Sequence, residues 1–430
     1  MNQLNLPEFK VIKVQQNEHD IMFTVEAVEP PWYCPQCGME DYYKHGKTER
    51  FARDLSAFGK RVGITIKGHR YKCNNCDSTF SESYESIDER DKMTNRLREH
   101  IKVESLKRPF ANIADEFSIA PTTVKRIFNE FLEEQEQNIK FKTPKVLGID
   151  EVHLNKKMRA VFTDIEALRV LDMLKDRNKQ TIINFLKKIP DKKTIEIVTT
   201  DMWQPYRDAI NEVLPHAKQI VDKFHVIQYG NKALEDTRKS FRGTLDVKQR
   251  RALMHERFIL LKNKEDLKPQ EQLNLQMWFV TFPTLKVAHD LKEGLRNMYL
   301  CETRQQAQEH FIKWKQSIPK DMSAFLDVAK MIENWHVEIF NYFDNRYTNA
   351  FTESVNNLIK YIEKSGRGYS FEVLRAKVLF STKATAKPKF GYLYSDEPDP
   401  HLFYYKAPTL IEGFGVSIPQ LLEIFERDEF

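Results

Sequence analysis

The segment VLGIDEVHL, Val146 to Leu154, opens on four residues, Val146–Ile149, that read as one end of a buried strand. It then sets Asp150 and Glu151 where that strand is expected to stop. A buried carboxylate costs several kcal/mol (order of magnitude) unless something offsets it. Asp150 therefore needs a partner, and the residues downstream show where one could come from. Arg159–Asp164 and Arg169–Leu174 read as two more short strands with tight connections. A helix at about Lys179–Ile189 follows, with Ile182, Phe185, Leu186 and Ile189 on its inner face. Next comes IEIVTTDMW, a strand Ile195–Thr200 ending on Asp201. A helix near Gln204–Val213 leads to a fifth strand, about Lys218–Asp222.

The order βββαβαβ is that of an RNase H-like fold, in which the end of the first strand lies beside the end of the fourth. Asp150 and Asp201 occupy those two ends. Two facing carboxylates repel each other unless a cation lies between them, and phosphoryl chemistry commonly uses two Mg²⁺ ions about 3.5–4 Å apart. Such a site wants a third carboxylate. The candidate is Glu353 in NAFTESVNN, at the start of a helix that Asn349 or Thr352 could cap. Glu353, Asn356, Asn357 and Lys360 fall at i, i+3, i+4 and i+7 and share a face. Glu151, Asp164, Asp172 and Asp176 compete with Asp150, which is preferred because it ends the most apolar strand. Taken singly, an Asp at a strand end is more often a turn or cap residue than a catalytic one.

Asp201 and Glu353 are 152 positions apart, far more than a minimal core needs. Residues 230–340 read as mostly helical, so an insertion interrupts the core. Its Trp278, Trp314 and Trp335 are expected to fill a helical interior rather than stack on an unpaired base. Cys301 reads as a core residue.

Upstream, Cys34-Pro-Gln-Cys37 and Cys73-Asn-Asn-Cys76 form two Cys-x-x-Cys pairs with 35 residues between them. Two such turns complete a tetrahedral zinc shell. The intervening chain is expected to fold as a β-ribbon stapled by the metal, with His45 and His69 on its surface. From Tyr42 to Lys72 nine Lys or Arg stand against two acids, Glu49 and Asp54, and aromatic residues are interleaved. That composition suits a phosphate backbone more than a merely solvated face. Residues 93–134 then read as three helices. Thr94 caps the first, the second runs from about Asn112 to Phe117, and the third starts at Pro121 or Thr122 with Val124, Ile127, Phe128 and Phe131 inward. Thr122, Thr123, Lys125, Arg126 and Asn129 are left outward, as on a helix that reads a major groove.

The 430 residues are 41% hydrophobic, enough for two to four domains with real cores. The net charge is only +5, so any nucleic-acid partner must be argued from local patches. No apolar run reaches transmembrane length and the N-terminus lacks a signal-peptide core, so a cytoplasmic protein without a membrane partner is expected. Residues 360–389 carry eight Lys or Arg against two Glu, which makes Lys360, Lys364, Arg367 and Arg375 phosphate candidates. Residues 391–430 reverse the balance, with eight acids against Lys406 and Arg427.

Taken in order, the four-cysteine ribbon, the helix-turn-helix, GIDE with TTDMW and DKFH, and NAFTESVNN followed by SGRGYSF resemble the transposases of bacterial insertion sequences, in the ISL-three family of DDE transposases. The resemblance spans most of the chain. It implies a triad of Asp150, Asp201 and Glu353, and an enzyme that cuts transposon ends and joins them to target DNA. The family carries a similar Asp-x-x-His at Asp222 and His225, whose role would be a structural clasp or support of the metal ligands, as for Asn357. The expected architecture is multidomain α+β. A zinc-ribbon domain spans 1–90 and a helix-turn-helix 91–140. The RNase H-like core occupies 141–228 and 341–390, interrupted by a helical insertion at 229–340, and an acidic arm closes the chain at 391–430. Expected cofactors are structural Zn²⁺ and two Mg²⁺ (Mn²⁺ as a substitute). Expected partners are the inverted-repeat ends, target DNA and further copies of the chain. A metal-dependent nuclease on the same fold and a non-catalytic DNA-binding regulator are the rival readings.

Overall fold

The computed structural model describes residues 4–137, 142–243, 247–255, 257–366 and 368–380. They form two compact units, one from the residues up to 137 together with those from 362 on, the other from residues 142–361.

The first unit begins with strands β1 (Phe9–Gln16), β2 (Asp20–Ala27), β3 (Tyr42–Ala57), β4 (Lys60–Cys73), β5 (Thr79–Ser81), β6 (Ile87–Asp88) and β7 (Met93–Thr94). Their order is β1-β2-β4-β3-β7-β6, with β5 on the other part of β4. The basic stretch is a long antiparallel hairpin, paired from Tyr42↔Cys73 at its base to Ala57↔Lys60 at its tip. Phe58 and Gly59 turn it with φ of 53° and 74°, as a two-residue turn matched to strand twist requires. Three helices follow: α1 (Asn95–Lys107), α2 (Phe110–Phe117) and α3 (Pro121–Gln137). Thr94 caps α1 by accepting from the Leu97 N–H. Ser118 closes α2 in the left-handed conformation, φ 53°. Leu97, Ile101, Ile113, Phe117, Val124 and Ile127 make the shared core, with Leu55 of the ribbon packed against it.

The second unit holds β8 (Val146–Leu154), β9 (Lys157–Asp164), β10 (Arg169–Met173), α4 (Lys179–Lys188), β11 (Ile197–Thr200), α5 (Gln204–Val213) and β12 (Lys218–Val221). The sheet order is β10-β9-β8-β11-β12, with β8, β11 and β12 parallel. This is the RNase H-like arrangement. Side chains alternate across β8 with period two. Leu147 and Ile149 pack with α4 and α5 residues such as Ile182, Leu186 and Tyr206, while Val146 packs with the helices that cover the opposite face. The helices of that core are α6 (Lys223–Ser240), α7 (Val247–His255), α8 (Arg257–Leu261), α9 (Pro269–Thr281), α10 (Pro283–Met298), α11 (Arg304–Gln316), α12 (Ser323–Asn334), α13 (His336–Phe340) and α14 (Tyr342–Asn345). Helix α15 (Ala350–Gly366) follows, and it belongs to this unit as far as residue 361. Trp314 and Trp335 are buried in that helical core, and the Trp278 ring stacks on Phe282 at 5.9 Å. Cys301 packs against the same core.

A last helix, α16 (Phe371–Phe380), belongs to the first unit. Residues 362–380 therefore group with the ribbon and the three helices, not with the core segment 341–390 in which the sequence reading places them. The acidic arm, 391–430, lies outside the described residues. No described helix is long and apolar enough to cross a membrane.

The strand of the opening segment is longer than expected. β8 does not stop at Asp150 but runs on to Leu154, because Asp150–Leu154 pair with Lys157–Val161 of β9 in a hairpin. What stops is its other neighbour: the last β11 pair is Thr199↔Gly148. Asp150 is thus a mid-strand residue lying two positions past the end of a ladder.

Candidate active site and metal centres

The ladder register explains how two acids distant in sequence meet. Asp201 lies two residues past Thr199 as Asp150 lies two past Gly148, so both follow the same last rung. Asp150, Asp201 and His225 bring one ligand atom each within 4.8 Å of one another. His225 Nε2 lies 2.8 Å from Asp201 Oδ1. Burial first, and then the Asp201 charge, push the Asp150 carboxyl up to about 9. Burial alone would lower the His225 imidazole, but the Asp201 carboxylate outweighs it and raises the ring to about 9. The pair is therefore a place where negative charge is concentrated and poorly solvated.

The surroundings fit a divalent cation. Among the described residues, buried Asn356 Oδ1 and the Tyr206 hydroxyl lack a hydrogen-bond partner. Burial and then the charges of Asp201 and Asp150 push the Tyr206 phenol up. A donor set of carboxylate and amide oxygens with one imidazole suits a hard or borderline cation.

Helix α15 supplies the other wall. Asn356 donates to Asp150 Oδ2 at 2.9 Å and to the Glu151 carbonyl at 3.2 Å. Immediately before the helix, Asn349 donates to the Ile149 carbonyl and accepts from Thr199 Oγ1, both at 3.1 Å. Thr352 Oγ1 bonds Asn349 Oδ1 and lies 2.7 Å from Thr163 Oγ1. So close an approach needs a glycine on the strand. A Cβ at Gly148 would stand 2.4 Å from Thr163 Oγ1 and 2.7 Å from Thr352 Oγ1. Asp222 caps α6, accepting from the Phe224 N–H at 3.2 Å. Burial pushes its carboxyl up, against the lowering hydrogen bonds from the backbones of Phe224 and Asn349.

Not every predicted residue joins this cluster. Glu353 is half-buried on α15, one turn before Asn356, and its carboxylate is not among the atoms gathered with Asp150 and Asp201. The amide that reaches Asp150 is that of Asn356; Asn357 is exposed, as is Lys360. A helix turns about 100° per residue, and that separates Asn357 from its neighbour. Glu151 points to the other side of the sheet and pairs with Arg177. Asp164 pairs with Arg169 at 3.0 Å. Asn349, Tyr206 and Arg177 were not singled out as site residues by the sequence reading. Asn349 had a signal, lying seven positions before Asn356 on one helical stripe, whereas Tyr206 had none.

At the base of the ribbon Cys34 Sγ is 3.7 Å from Cys76 Sγ, and Cys37 Sγ is 3.6 Å from Cys73 Sγ. The four sulfurs lie within 4.8 Å of one another and none is in a disulfide. A tetrahedral zinc with Zn–S of about 2.3 Å needs sulfurs about 3.8 Å apart, so the spacing fits that ion. A hydrogen bond from Ser78 is the main reason the Cys34 thiol falls to about 6.

On α3, Thr122, Lys125 and Asn129 are exposed and Thr123 is half-buried. Arg126 departs from the outward placement expected of it. Its guanidinium pairs with Asp91, whose side chain is buried, and with Glu130 at 2.8 Å. Arg98 shares both acids, so the four side chains form one ionic knot. Lys364 is exposed, Arg375 pairs with Glu136 at 3.0 Å, and Arg367 lies outside the described residues.

Comparison with known proteins matches three successive parts of the chain. A family described as a transposase, in the ISL3 group, matches residues 147–378, more than half of the sequence. The zinc-finger of transposase IS204/IS1001/IS1096/IS1165 matches residues 30–76, and the helix-turn-helix domain of transposase family ISL3 matches residues 82–132. The chain is 24% identical over 344 residues to the transposase for insertion sequence element IS1001 of Bordetella parapertussis, covering 78% of this chain and 85% of that one. It is 25% identical over 281 residues to the transposase for insertion sequence element IS1557 of Mycobacterium tuberculosis, covering 58% and 63%. Among solved structures it is similar to the catalytic core domain of BIV integrase, at 12% identity and a TM-score of 0.16 over 33% of this chain and 99% of that one. A likeness at that score adds nothing to the strand order described above. With its ribbon, three helices and acidic core each matched in sequence, the chain belongs to the ISL3 family of DDE transposases.

Proposed function

We propose that this transposase binds the terminal inverted repeats of its insertion sequence and carries out strand cleavage and strand transfer with two metal ions held by Asp150, Asp201 and Glu353. The observation that carries the reading is the convergence of Asp150 and Asp201 just past the last rung of the β8–β11 ladder. Bound Mg²⁺, or Mn²⁺ in its place, would activate the attacking oxygen and stabilise the leaving one. Around the ions the chain's own residues act as positioners. Asn356 fixes one oxygen of Asp150. His225 orients Asp201, and Asp222 clasps the start of α6. Glu353 lies one helical turn before Asn356 on α15 and is proposed as the third carboxylate.

The ribbon and the exposed residues of α3 (Thr122, Thr123, Lys125 and Asn129) are proposed to hold the ends, with Zn²⁺ on Cys34, Cys37, Cys73 and Cys76. Lys360, Lys364 and Arg367 are proposed to take phosphates. The proposed division is ribbon, helix-turn-helix, split core and helical insertion, with a cytoplasmic place of action. Joining both ends of one element in a single event requires them to be held together, which favours a homo-oligomer on DNA.

The test is incubation of purified protein with labelled inverted-repeat ends, target DNA and Mg²⁺. Joined products are expected. Nicks without joining would mean a nuclease, and binding without cutting would mean a regulator.

A further inference from the structure

Next to the acidic pair, on the other side of β8, stands an aromatic surface that the cleavage chemistry leaves unused. Trp203 lies two residues past Asp201, at the entry to α5. Its backbone N–H donates to the backbone carbonyl of Asp201 at 2.8 Å, which ties the main chain at Trp203 to that at Asp201. Arg177 lies over the ring, 4.3 Å from guanidinium carbon to centroid. The same guanidinium pairs with Glu151, the residue after Asp150. Glu151, Arg177 and Trp203 therefore form one chain of contacts whose two ends are backbone neighbours of the two acids.

Trp203 keeps 37% of its surface exposed although Arg177 covers part of it. Two tryptophans of the helical core behave otherwise. Trp314 and Trp335 are each 5% exposed. Trp314 donates its indole N–H to the Leu291 carbonyl at 2.8 Å, and Trp335 lies beneath Arg207 at 3.6 Å. A large apolar ring left in water beside a phosphate-handling centre, with a cation on it, has the features of a base-stacking platform. Every nucleobase offers a π-face, and an arginine beside an aromatic ring adds attraction for a nucleotide and its phosphate.

We propose that Trp203, braced by Arg177, stacks on an unpaired base of the DNA end next to the scissile phosphate and so positions that phosphate at Asp150 and Asp201. The inference rests on the transposase reading and adds to it the feature of the substrate that is read at the site. Trp203 acts here as a positioning residue and Arg177 as its brace. Their loss leaves the metal ligands in place.

The experiment uses the full chain and duplex ends of its own element. One set carries 5-iododeoxyuridine at single positions flanking the cut, for photocrosslinking. A second set carries an abasic site at the same positions. We expect crosslinks at one position to map to the peptide holding Trp203. Trp203→Ala should slow end cutting by about 5- to 150-fold, the range that a stacked base is worth, and Trp203→Phe should recover most of it. The abasic end should slow the wild type by a similar factor and slow Trp203→Ala no further, a non-additivity that a merely structural tryptophan would not give. The abasic substrate needs no variant, so a misfolded mutant cannot decide the result. Crosslinks that map only elsewhere would overturn the proposal, as would equal cutting of normal and abasic ends by the wild type. Failure of the wild type to cut any end would instead overturn the transposase reading, which keeps the two separable.

Discussion

Asp150 and Glu151 are consecutive residues with opposite fates, and the pleat decides which is which. Asp150 shares its face with Val146 and Gly148, while Glu151 faces Arg177 on the other side. Asp150→Asn keeps the side-chain size but removes a charge needed to hold a cation. End cutting is expected to fall by roughly three decades, about 4 kcal/mol of transition-state stabilisation, while end binding survives or improves. Mg²⁺ is expected to raise the melting temperature of the wild type and not that of the variant. Glu151→Gln should be much milder, and its residual effect should act through Arg177. A gel shift, a labelled-end assay and thermal melts with and without Mg²⁺ on both variants check this. If Glu151→Gln is dead and Asp150→Asn cuts, the assignment is wrong. At this scale the sequence was legible where a residue type and a strand period coincide, as at Asp150 and Asp201. It was silent where a side chain reaches across the fold: Arg126 carries the charge of a base reader, yet its partner Asp91 lies 35 positions away. Arg126→Ala should accordingly lower stability more than it changes sequence preference, as urea unfolding beside binding to specific and random DNA would show.

Elements meet where side chains are small. The contact of α15 with β8 depends on Gly148, since a methyl there would meet the Thr163 and Thr352 hydroxyls well inside contact distance. Gly148→Ala should push α15 outward and carry Asn356 away from Asp150. Cutting should fall by about 10- to 100-fold, since a displacement of about 1 Å can cost that much. End binding should hold, since the first unit is untouched. GIDE displayed this glycine, but the helix it admits lies some two hundred residues on, and no local pattern connects them. A second element contact concerns pH. Lys377 of α16 is 2% exposed. It donates to the carbonyls of Ser105 and Arg108 and faces the rings of Phe110, Phe128 and Tyr369. Burial pushes its amine down to about 7, while the unfolded chain keeps a value near ~10.4. Between those values the unfolded state holds a proton that the folded state has lost, so stability rises with pH across that window. Below about pH 7 both states are protonated and the slope disappears. Lys377→Met should flatten the rise, as urea unfolding at several pH values between neutral and about 10 would show. An unchanged slope would mean that the carbonyls and rings keep the cation charged throughout.

The whole molecule is two compact units, and its order of parts was legible because each carries a local signature: two Cys-x-x-Cys turns, a capped three-helix run, and a βββαβαβ texture. The return of residues 362–380 to the first unit was not, because a basic amphipathic stretch does not name the surface it will cover. The two units give zinc a specific consequence. Cys34 and Cys73 are fully buried at the base of a hairpin whose paired strands run sixteen and fourteen residues. Without an ion, four thiols with sulfurs 3.6–3.7 Å apart in pairs would have to share that space with little to hold them. The ion supplies folding energy directly in sites of this kind. We therefore expect about one zinc per chain, lost in Cys73→Ser. The loss should unfold the ribbon and lower the melting of the first unit, whereas the second unit, whose core has no cysteine ligand, should melt as before. End binding should fall in the variant, while the thermal stabilisation expected of Mg²⁺ at the acidic pair should persist. Metal analysis together with melts of wild type and variant, each with and without Mg²⁺, measures all of this. A zinc-free protein with its ribbon still folded would overturn the assignment. Loss of the Mg²⁺ effect along with zinc would show instead that the two units do not fold independently.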